Sequence, residues 1–231
     1  MKTMFSFCLL AIPLLTTSCE TEDKLEECMG SCTTITGRLL TANGQQGIKG
    51  AQVSVKWIYG PPSWPKAKLK SQTTTDANGN YHTSFFIKGG ELEDGFFEVI
   101  FGVDDKKYYT IGVDVIALYD AKRDTMMQLY NYIIPRKAYV RLMVTNPTEI
   151  VGYYSSSFNN CYGHNSTFSS QIQGGGPVIN WSSLPLENPL PIAGDQPVLI
   201  RTSKIKNGVT IWNVDSLFVS AGATANYTVT Y

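Results

Sequence analysis

The stretch that decides the fold is SQTTTDANGNYHTSF, residues 71–85. Two runs of β-forming residues flank the pentapeptide DANGN at residues 76–80. Asn and Gly adopt positive φ at low cost, so the pentapeptide predicts a tight turn centred on Gly79. After the turn, Tyr81, Thr83 and Phe85 recur at every second position, which is the spacing of one strand face. We therefore expect a β-hairpin here, with the turn fixing the register of its two strands.

The flanking sequence also has the pattern of β-strands. Residues 35–40 form a first strand-like run, and in residues 52–59 Val53, Val55 and Trp57 alternate with polar neighbours. That period of two predicts a strand with one buried face. Residues 96–103 are almost continuously apolar, which favours a central strand buried on both sides.

Three motifs in this half resemble the carboxypeptidase regulatory-like family. They are GRL at residues 37–39, GIKGAQVSV at 47–55 and TDANGNY at 75–81, with Gly50 where the family usually has Pro. The resemblance covers residues 33–135 and implies a transthyretin-like (prealbumin-like) β-sandwich. It implies a structural or adhesive role and carries no catalytic residues.

The second half is also predicted to be β-rich. Residues 137–146 (KAYVRLMVTN) alternate between two faces, residues 209–214 have a strand pattern, and the chain ends on an alternating run at 225–231. We expect residues 136–231 to form a second small β-sandwich or a β extension of the first, which makes the chain all-β. The least strand-like segment, residues 117–129, is the one candidate for a short helix.

The N-terminus has the pattern of a lipoprotein signal peptide. A positive start is followed by an apolar run of signal-peptide length at residues 4–15, and small residues then precede Cys19. Residues 1–18 therefore resemble a bacterial lipobox signal, with Cys19 as the acylated residue. Thr16 departs from the motif, in which Leu is usual at that position. The alternative is an ordinary secretory signal that leaves Cys19 unmodified.

An acidic run follows Cys19. Residues 20–27 hold five acids and one lysine, a composition typical of a solvated tether, and we assign residues 19–32 to it. The run resembles the acidic patch after the cysteine of surface-exported lipoproteins in Bacteroidetes-type bacteria; a plain polar spacer is the alternative. Together these features predict a lipid-anchored protein of the outer membrane, at the cell surface, with the acyl chains as its contact with the membrane.

Three cysteines remain after Cys8 and Cys19 are set aside. Cys28, Cys32 and Cys161 would stand in an oxidising compartment, where at most one intramolecular disulfide can form among three. Cys28 pairs with Cys32, or one of the two pairs with Cys161, and the sequence does not decide between them. A metal site is not expected, because His82 and His164 are the only histidines.

The composition excludes several classes of function. Lys plus Arg and Asp plus Glu both total 19, so no net field attracts nucleic acid. The sequence has no nucleotide-binding, nucleophile-elbow or zinc-protease motif, and no cofactor is expected. Acids beside Gly-rich turns, namely Glu91, Glu93, Asp94, Asp104 and Asp105, are expected to be solvated. The Asp76 turn lacks the frame of a calcium loop, and Cys161 near His164 is expected to be structural. We predict that the chain is not an enzyme.

Aromatic residues are the remaining candidates for recognition. Trp57, Tyr59 and Trp64 lie around a proline-rich turn, where flat rings suit the stacking of a sugar or of a partner chain. Plugging the end of the sandwich is the alternative role. The sequence thus predicts a surface lipoprotein with a binding or structural role, whose partner is a glycan or another surface protein. The alternative is a carbohydrate-binding accessory of a glycan-uptake system.

Overall fold

The computed structural model describes residues 25, 27–145, 154–160, 178–180 and 189–230. These residues form strands and turns and contain no α-helix, which confirms the all-β prediction. Residues 117–129, the candidate helix, instead complete one strand, turn, and enter the next. No helix in the described part of the chain is long and apolar enough to span a membrane.

The described strands fall into two groups, which we call the N-terminal module (residues 33–135) and the C-terminal module (residues 136–230). The N-terminal module contains β1 (Thr33–Thr41), β2 (Gln46–Gly47), β3 (Gln52–Tyr59), β4 (Lys66–Thr74), β5 (Asn80–Phe85), β6 (Gly95–Gly102), β7 (Asp114–Leu118), β8 (Met126–Gln128) and β9 (Tyr132–Ile133). The C-terminal module contains β10 (Lys137–Val144), β11 (Tyr154–Asn160), β12 (Val178–Asn180), β13 (Leu190–Ala193), β14 (Pro197–Lys206), β15 (Val209–Phe218) and β16 (Thr224–Val229).

The N-terminal module is a two-sheet sandwich. One sheet is built on β1, which pairs with β2 and β5 antiparallel and with β8 and β9 parallel. The other has the order β4-β3-β6-β7. Alternate side chains of the facing strands are buried between the sheets, among them Ile35, Val53, Val55, Phe85 and Phe97. The burial of aliphatic and aromatic side chains at period two is what makes these sequences fold as strands.

The prediction of a hairpin at residues 71–85 is wrong in one respect, the pairing of its two strands. β4 pairs with β3, and β5 pairs with β1, so the two strands that flank the turn lie in different sheets. The turn therefore carries the chain from one sheet to the other and does not set a shared register. The turn itself has the predicted chemistry, because Gly79 has φ of +80° and its N–H donates to the Asp76 carbonyl at 3.0 Å. Local turn residues specify the bend, whereas strand partners are chosen by burial.

The described strands of the C-terminal module repeat this topology, except that β2 has no counterpart and β16 takes the place of both β8 and β9. Its first strand, β10, pairs antiparallel with β13 and parallel with the last strand, β16, as β1 pairs with β5 and with β8 and β9. The second sheet has the order β12-β11-β14-β15, which matches β4-β3-β6-β7. Ala138, Val140, Ile192, Val198 and Ile200 are fully buried in a core of its own. The two halves are tandem copies of one arrangement.

One loop of the N-terminal module joins the two modules. Between β6 and β7, Tyr108 packs against the N-terminal core, while the next residue, Tyr109, is buried in the C-terminal core. The N–H of Tyr109 donates to the Pro135 carbonyl and the N–H of Lys137 donates to the Lys107 carbonyl, both at 2.8 Å. Adjacent side chains thus enter two different cores.

Candidate functional site

The cysteine predictions fall partly outside the described residues. Cys19 and Cys161 both lie there, so acylation and any bridge to Cys161 stay predictions. Cys28 and Cys32 are joined by a disulfide with a Cα–Cα distance of 5.9 Å, which is the first of the two pairings left open by the sequence. The bridge closes a short loop immediately before β1.

The structure brings two of the three predicted platform aromatics together. The rings of Trp57 and Tyr59 stack with centroids 4.1 Å apart and planes within 10°. The indole N–H of Trp57 donates to the Glu91 carbonyl at 2.9 Å, and the ring packs against the N-terminal core. This pair is therefore tied to the body of the sandwich, as the plugging alternative expects.

Trp64 has a different environment. Its side chain is 77% exposed on the turn after β3, and the backbone N–H of Trp64 donates to the Pro61 carbonyl at 2.9 Å. Among the described residues it makes no ring contact with Trp57 or Tyr59. A single exposed indole is what remains of the predicted three-residue platform.

The acidic candidates do not form a catalytic group. Glu91 was expected to be solvated, and this is wrong: it is 4% exposed and forms a buried ion pair with Lys70 at 2.7 Å. A Gly-rich turn can fold a carboxylate inward when a buried ammonium is available, and the sequence gives no sign of that partner. Asp104 accepts the Lys106 N–H at 3.0 Å, which lowers the pKa of its carboxyl group.

The Asp76 turn uses its oxygens internally. Oδ1 accepts the backbone N–H groups of Asn78 and Asn80 at 2.8 Å, and Oδ2 accepts the side-chain amide of Asn80 at 3.0 Å. The Asn80 side chain is the main reason that the pKa of Asp76 is lowered. His82 is exposed on β5, and His164 lies outside the described residues. No group of three potential metal ligands occurs in the described part of the chain.

A small cavity at the module junction has a basic lining. It measures about 350 Å³ and is lined by Lys106, Lys107, Arg136 and Lys137 together with two tyrosines. Arg136 is bound to Asp195 at 2.6 Å, and Lys107 lies 3.5 Å from Asp104. The ammonium group of Lys137 donates to the Asp105 carbonyl. Of these contacts, the bond from Lys137 to Asp105 crosses from one module to the other, whereas the two ion pairs lie within single modules.

The most unusual surface in the described structure is β15, which we call the β15 edge. It ends its sheet, pairs only with β14, and keeps an unbroken ten-residue register. All its residues except the half-buried Leu217 are exposed, including large apolar side chains: Val209 61%, Ile211 41%, Trp212 70%, Val214 61% and Phe218 60%. Isolated exposed apolar side chains are ordinary, but a contiguous row marks an interaction surface.

The alternation of the strand divides these side chains between two faces. Asn213 and Asp215 lie opposite Thr202 and Ile200, both buried, so they share the inner face of the sheet. Trp212, Val214 and Phe218 have the opposite parity and stand on the outer face. Three of the five outer-face side chains of β15 are thus large, apolar and exposed, beside Thr210 and Ser216.

A cleft lies on the inner side, between β15 and β16. It measures about 430 Å³, and its lining includes Lys204, Trp212, Asn213, Asp215 and Tyr227. The Tyr227 hydroxyl donates to Asp215 Oδ2 at 3.0 Å, and Lys204 Nζ donates to the Thr230 carbonyl at 3.1 Å. The sequence identifies a strand at 209–214, but not its place at the edge of a sheet. The apolar residues on both faces in VTIWNV were the one available signal.

Neither a protein-family model nor a curated protein sequence matches this chain. Solved structures with some likeness include the Bacillus anthracis TIE protein, at TM-score 0.30 and 12% identity over 87% of this chain and 34% of that one. The shaft pilin SpaA from Lactobacillus rhamnosus GG has TM-score 0.30 and 9% identity over 87% and 98%. A streptococcal ancillary pilin has TM-score 0.28 and 10% identity over 84% and 62%. The chain spans about a third of the TIE protein. Similarities of this size do not carry a function or a site over to this chain.

Proposed function

We propose that the chain is a non-enzymatic, lipid-anchored protein of the outer cell surface whose two β-sandwich modules present the β15 edge to a protein partner. The observation that carries this proposal is the exposure of Val209, Trp212, Val214 and Phe218 on one edge strand. Burying such a row contributes about 25 cal/mol for each Å² of apolar surface removed from water. In the free chain these side chains stay in contact with water, so a partner that covers them gains this stabilisation.

The tandem architecture supports a presenting role. β15 belongs to the module farther along the chain from Cys19, and the junction holds that module to the first through Tyr109 and the bond from Lys137 to the Asp105 carbonyl. An anchor at Cys19 would then keep the modules at the membrane surface, since buried acyl methylenes contribute about 0.8 kcal/mol each.

Membrane fractionation with surface labelling tests this proposal. The full chain should sediment with outer membranes, and Cys19→Ala should release it into the soluble fraction. Cysteine introduced at Val209, which is exposed, should react with a membrane-impermeant maleimide on intact cells. The matched control is cysteine at the buried Val140, which should stay unlabelled. A Cys19→Ala chain that remains in the membrane fraction overturns the anchor.

The second candidate function is carbohydrate binding, which Trp64 favours. A fully presented indole on a proline-rich turn can stack on the face of a sugar ring. Retention of a polysaccharide that is lost in Trp64→Ala, but kept in the control Tyr130→Ala (Tyr130 is 80% exposed), would favour this function. Retention unchanged in Trp64→Ala would remove it.

A further inference from the structure

We infer that the β15 edge pairs with the β15 edge of a second copy of this chain, antiparallel and across a twofold axis at Val214. The inference rests on the proposed function, because it names the partner of the surface described there. It joins two four-stranded sheets into one continuous sheet. Three observations support it: how the other edges are protected, which register the side chains allow, and how much surface is available.

The other long sheet edge in the described structure is protected against pairing. β4 has nine residues, carries Lys66 and Lys68 in its first half, and contains a register shift opposite Val55 and Lys56. Lysines and bulges are the devices by which natural sheets block edge-to-edge pairing. β7 and β13 are protected by their length, with five and four residues, and β13 contains Pro191.

β15 lacks the lysines, the proline and the register shift of those strands. Its ten residues, VTIWNVDSLF, include no Lys, Arg, Pro or Gly, and Asp215 is its one charge. An open edge of this length is a template for a further strand. Among the described strands, the six-residue edges β5 and β16 also lack these devices, but their exposed side chains are polar, so β15 is the edge with the most apolar surface to bury.

The side chains select one register for self-pairing. Residues that lie opposite each other in an antiparallel pair project from the same face of the sheet. Odd-numbered residues of one copy must therefore lie opposite odd-numbered residues of the other, and even-numbered opposite even-numbered. With Val214 on the axis, Asn213 faces Asp215, Ile211 faces Leu217, and Trp212 lies diagonal to Phe218 of the other copy. The carboxylate thereby meets an amide donor, and Ile211 meets Leu217, while Trp212 and Phe218 directly face Ser216 and Thr210.

The neighbouring registers are less favourable. Moving the axis to Asp215 places the two carboxylates directly opposite, where like charges destabilise a sheet. Moving it to Asn213 places Asp215 against Ile211, which desolvates a charge without a partner. The zero net charge of the chain adds no long-range repulsion between copies.

The available surface is adequate for a specific dimer. Trp212 and Phe218, exposed at 70% and 60%, together offer roughly 200–300 Å² per copy, since a buried aromatic side chain covers 150–250 Å². Two copies supply about half of the roughly 1,000 Å² that a specific interface needs. Ile211, Val214 and the new backbone ladder supply the rest.

Cysteine cross-linking of the full chain in detergent, in a Cys161→Ala background, tests the pairing and its register. Val214→Cys places two thiols opposite each other, within the 4.4–6.8 Å Cα range of a disulfide, and should give covalent dimers on mild oxidation. The matched control is Val209→Cys, equally exposed at 61%. Its two copies would stand roughly 33 Å apart, ten residues along the strand, and should stay monomeric. Cross-linking through Asn213→Cys instead would overturn the register.

Analytical ultracentrifugation gives the second measurement, with folding checked by circular dichroism. Val214→Lys should weaken the dimer at least tenfold, whereas Val209→Lys should change it less than threefold. A chain that is monomeric at 50 µM, with no cross-linking of Val214→Cys above the Val209→Cys level, overturns the inference. Capture of a different surface protein that Val214→Lys abolishes would overturn self-pairing and leave the proposed function standing. Release by Cys19→Ala tests the anchor alone and does not bear on the dimer.

Discussion

The backbone of Gly47 lies directly against the backbone of Gly79. A Cβ at Gly79 would come 3.0 Å from the Gly47 Cα and would overlap the Leu39 carbonyl, and a Cβ at Gly47 would overlap the Asn78 carbonyl. The Leu39 N–H donates to the Gly79 carbonyl at 2.8 Å, which locks the turn onto β1. This glycine-to-glycine contact joins the motif GIKGAQVSV at residues 47–55 to the motif TDANGNY at residues 75–81.

Gly79→Ala should therefore destabilise the N-terminal module by about 2–4 kcal/mol. Steric overlap with fixed backbone adds to the cost of a left-handed φ in an L-residue. Gly50→Ala is the control, because Gly50 has φ of +73° but open space around it, and it should cost only about 1 kcal/mol. Urea unfolding measures both. Equal losses in the two variants would show that the glycine contact adds nothing.

Lys70→Met should destabilise the N-terminal module by about 3 kcal/mol. The side chains of Lys70 and Glu91 are 3% and 6% exposed, so removal of the ammonium leaves a carboxylate buried without its counter-charge. Glu91 Oε2 would keep only the backbone N–H of Lys88, at 2.8 Å. The control, Lys66→Met on the exposed end of β4, should change the free energy of unfolding by less than 0.5 kcal/mol.

Adding Glu91→Gln to Lys70→Met should recover part of the loss, because the pair is then neutral on both sides. A double-mutant cycle in denaturant gives the coupling energy. Additive effects of the two substitutions would contradict the description of Lys70 and Glu91 as a coupled pair.

Asp114 should make stability depend on pH. Burial raises the pKa of this carboxyl group from 3.8 to about 6, while the Tyr132 hydroxyl, 3.3 Å away, partly opposes the rise. The folded chain thus holds a proton that the unfolded chain loses. The contribution of Asp114 to the free energy of unfolding is fully present below pH 3.8. It is lost as the pH rises through about 6, and the total loss is up to about 3 kcal/mol.

Asp114→Asn should consequently match the parent chain near pH 3.5 and exceed it in stability at pH 7.5. Thermal unfolding across this range measures the difference, with Asp120→Asn on the exposed surface as the control. Parallel pH profiles for Asp114→Asn and the parent would contradict the raised pKa.

Tyr109→Ala should destabilise the C-terminal module, although Tyr109 belongs to a loop of the N-terminal module. Its side chain is 5% exposed within the C-terminal core, so truncation leaves a cavity that costs about 3–5 kcal/mol. Hydrogen exchange should accelerate in β10 and β16 but not in β1. Tyr108→Ala should show the reverse, since Tyr108 packs against the N-terminal core.

The sequence predicted the class of fold and many strand positions. β3 was predicted with its observed bounds, and residues 137–146 were predicted to alternate between two faces, of which Ala138, Val140 and Leu142 in β10 form the buried one. Both predictions are confirmed because the alternation of buried and exposed side chains can be read within a few consecutive residues of the sequence. The partners of β4 and β5 were not predictable, since strand pairing depends on contacts far apart in the chain.

The same limit hid the tandem repeat and the candidate surface. The two modules share a topology without sharing the glycine motifs, so nothing local in residues 136–231 indicates the duplication. Trp57 was predicted to be in a platform, but its indole N–H donates to the backbone carbonyl of Glu91, which is 34 residues away in the chain. Trp212 was overlooked because exposure at a sheet edge is a property of the assembled fold.

The central claim is that the β15 edge is built to be paired, and hydrogen exchange of its amides at two concentrations tests this most directly. Half of the β15 amides point towards β14, and the others point away from the sheet. In the full chain at 100 µM, the outward amides of residues 210–218 should be as protected as the inward ones, and they should lose that protection on dilution to the nanomolar range. Outward amides that exchange at the rate of an open strand at both concentrations would contradict the claim.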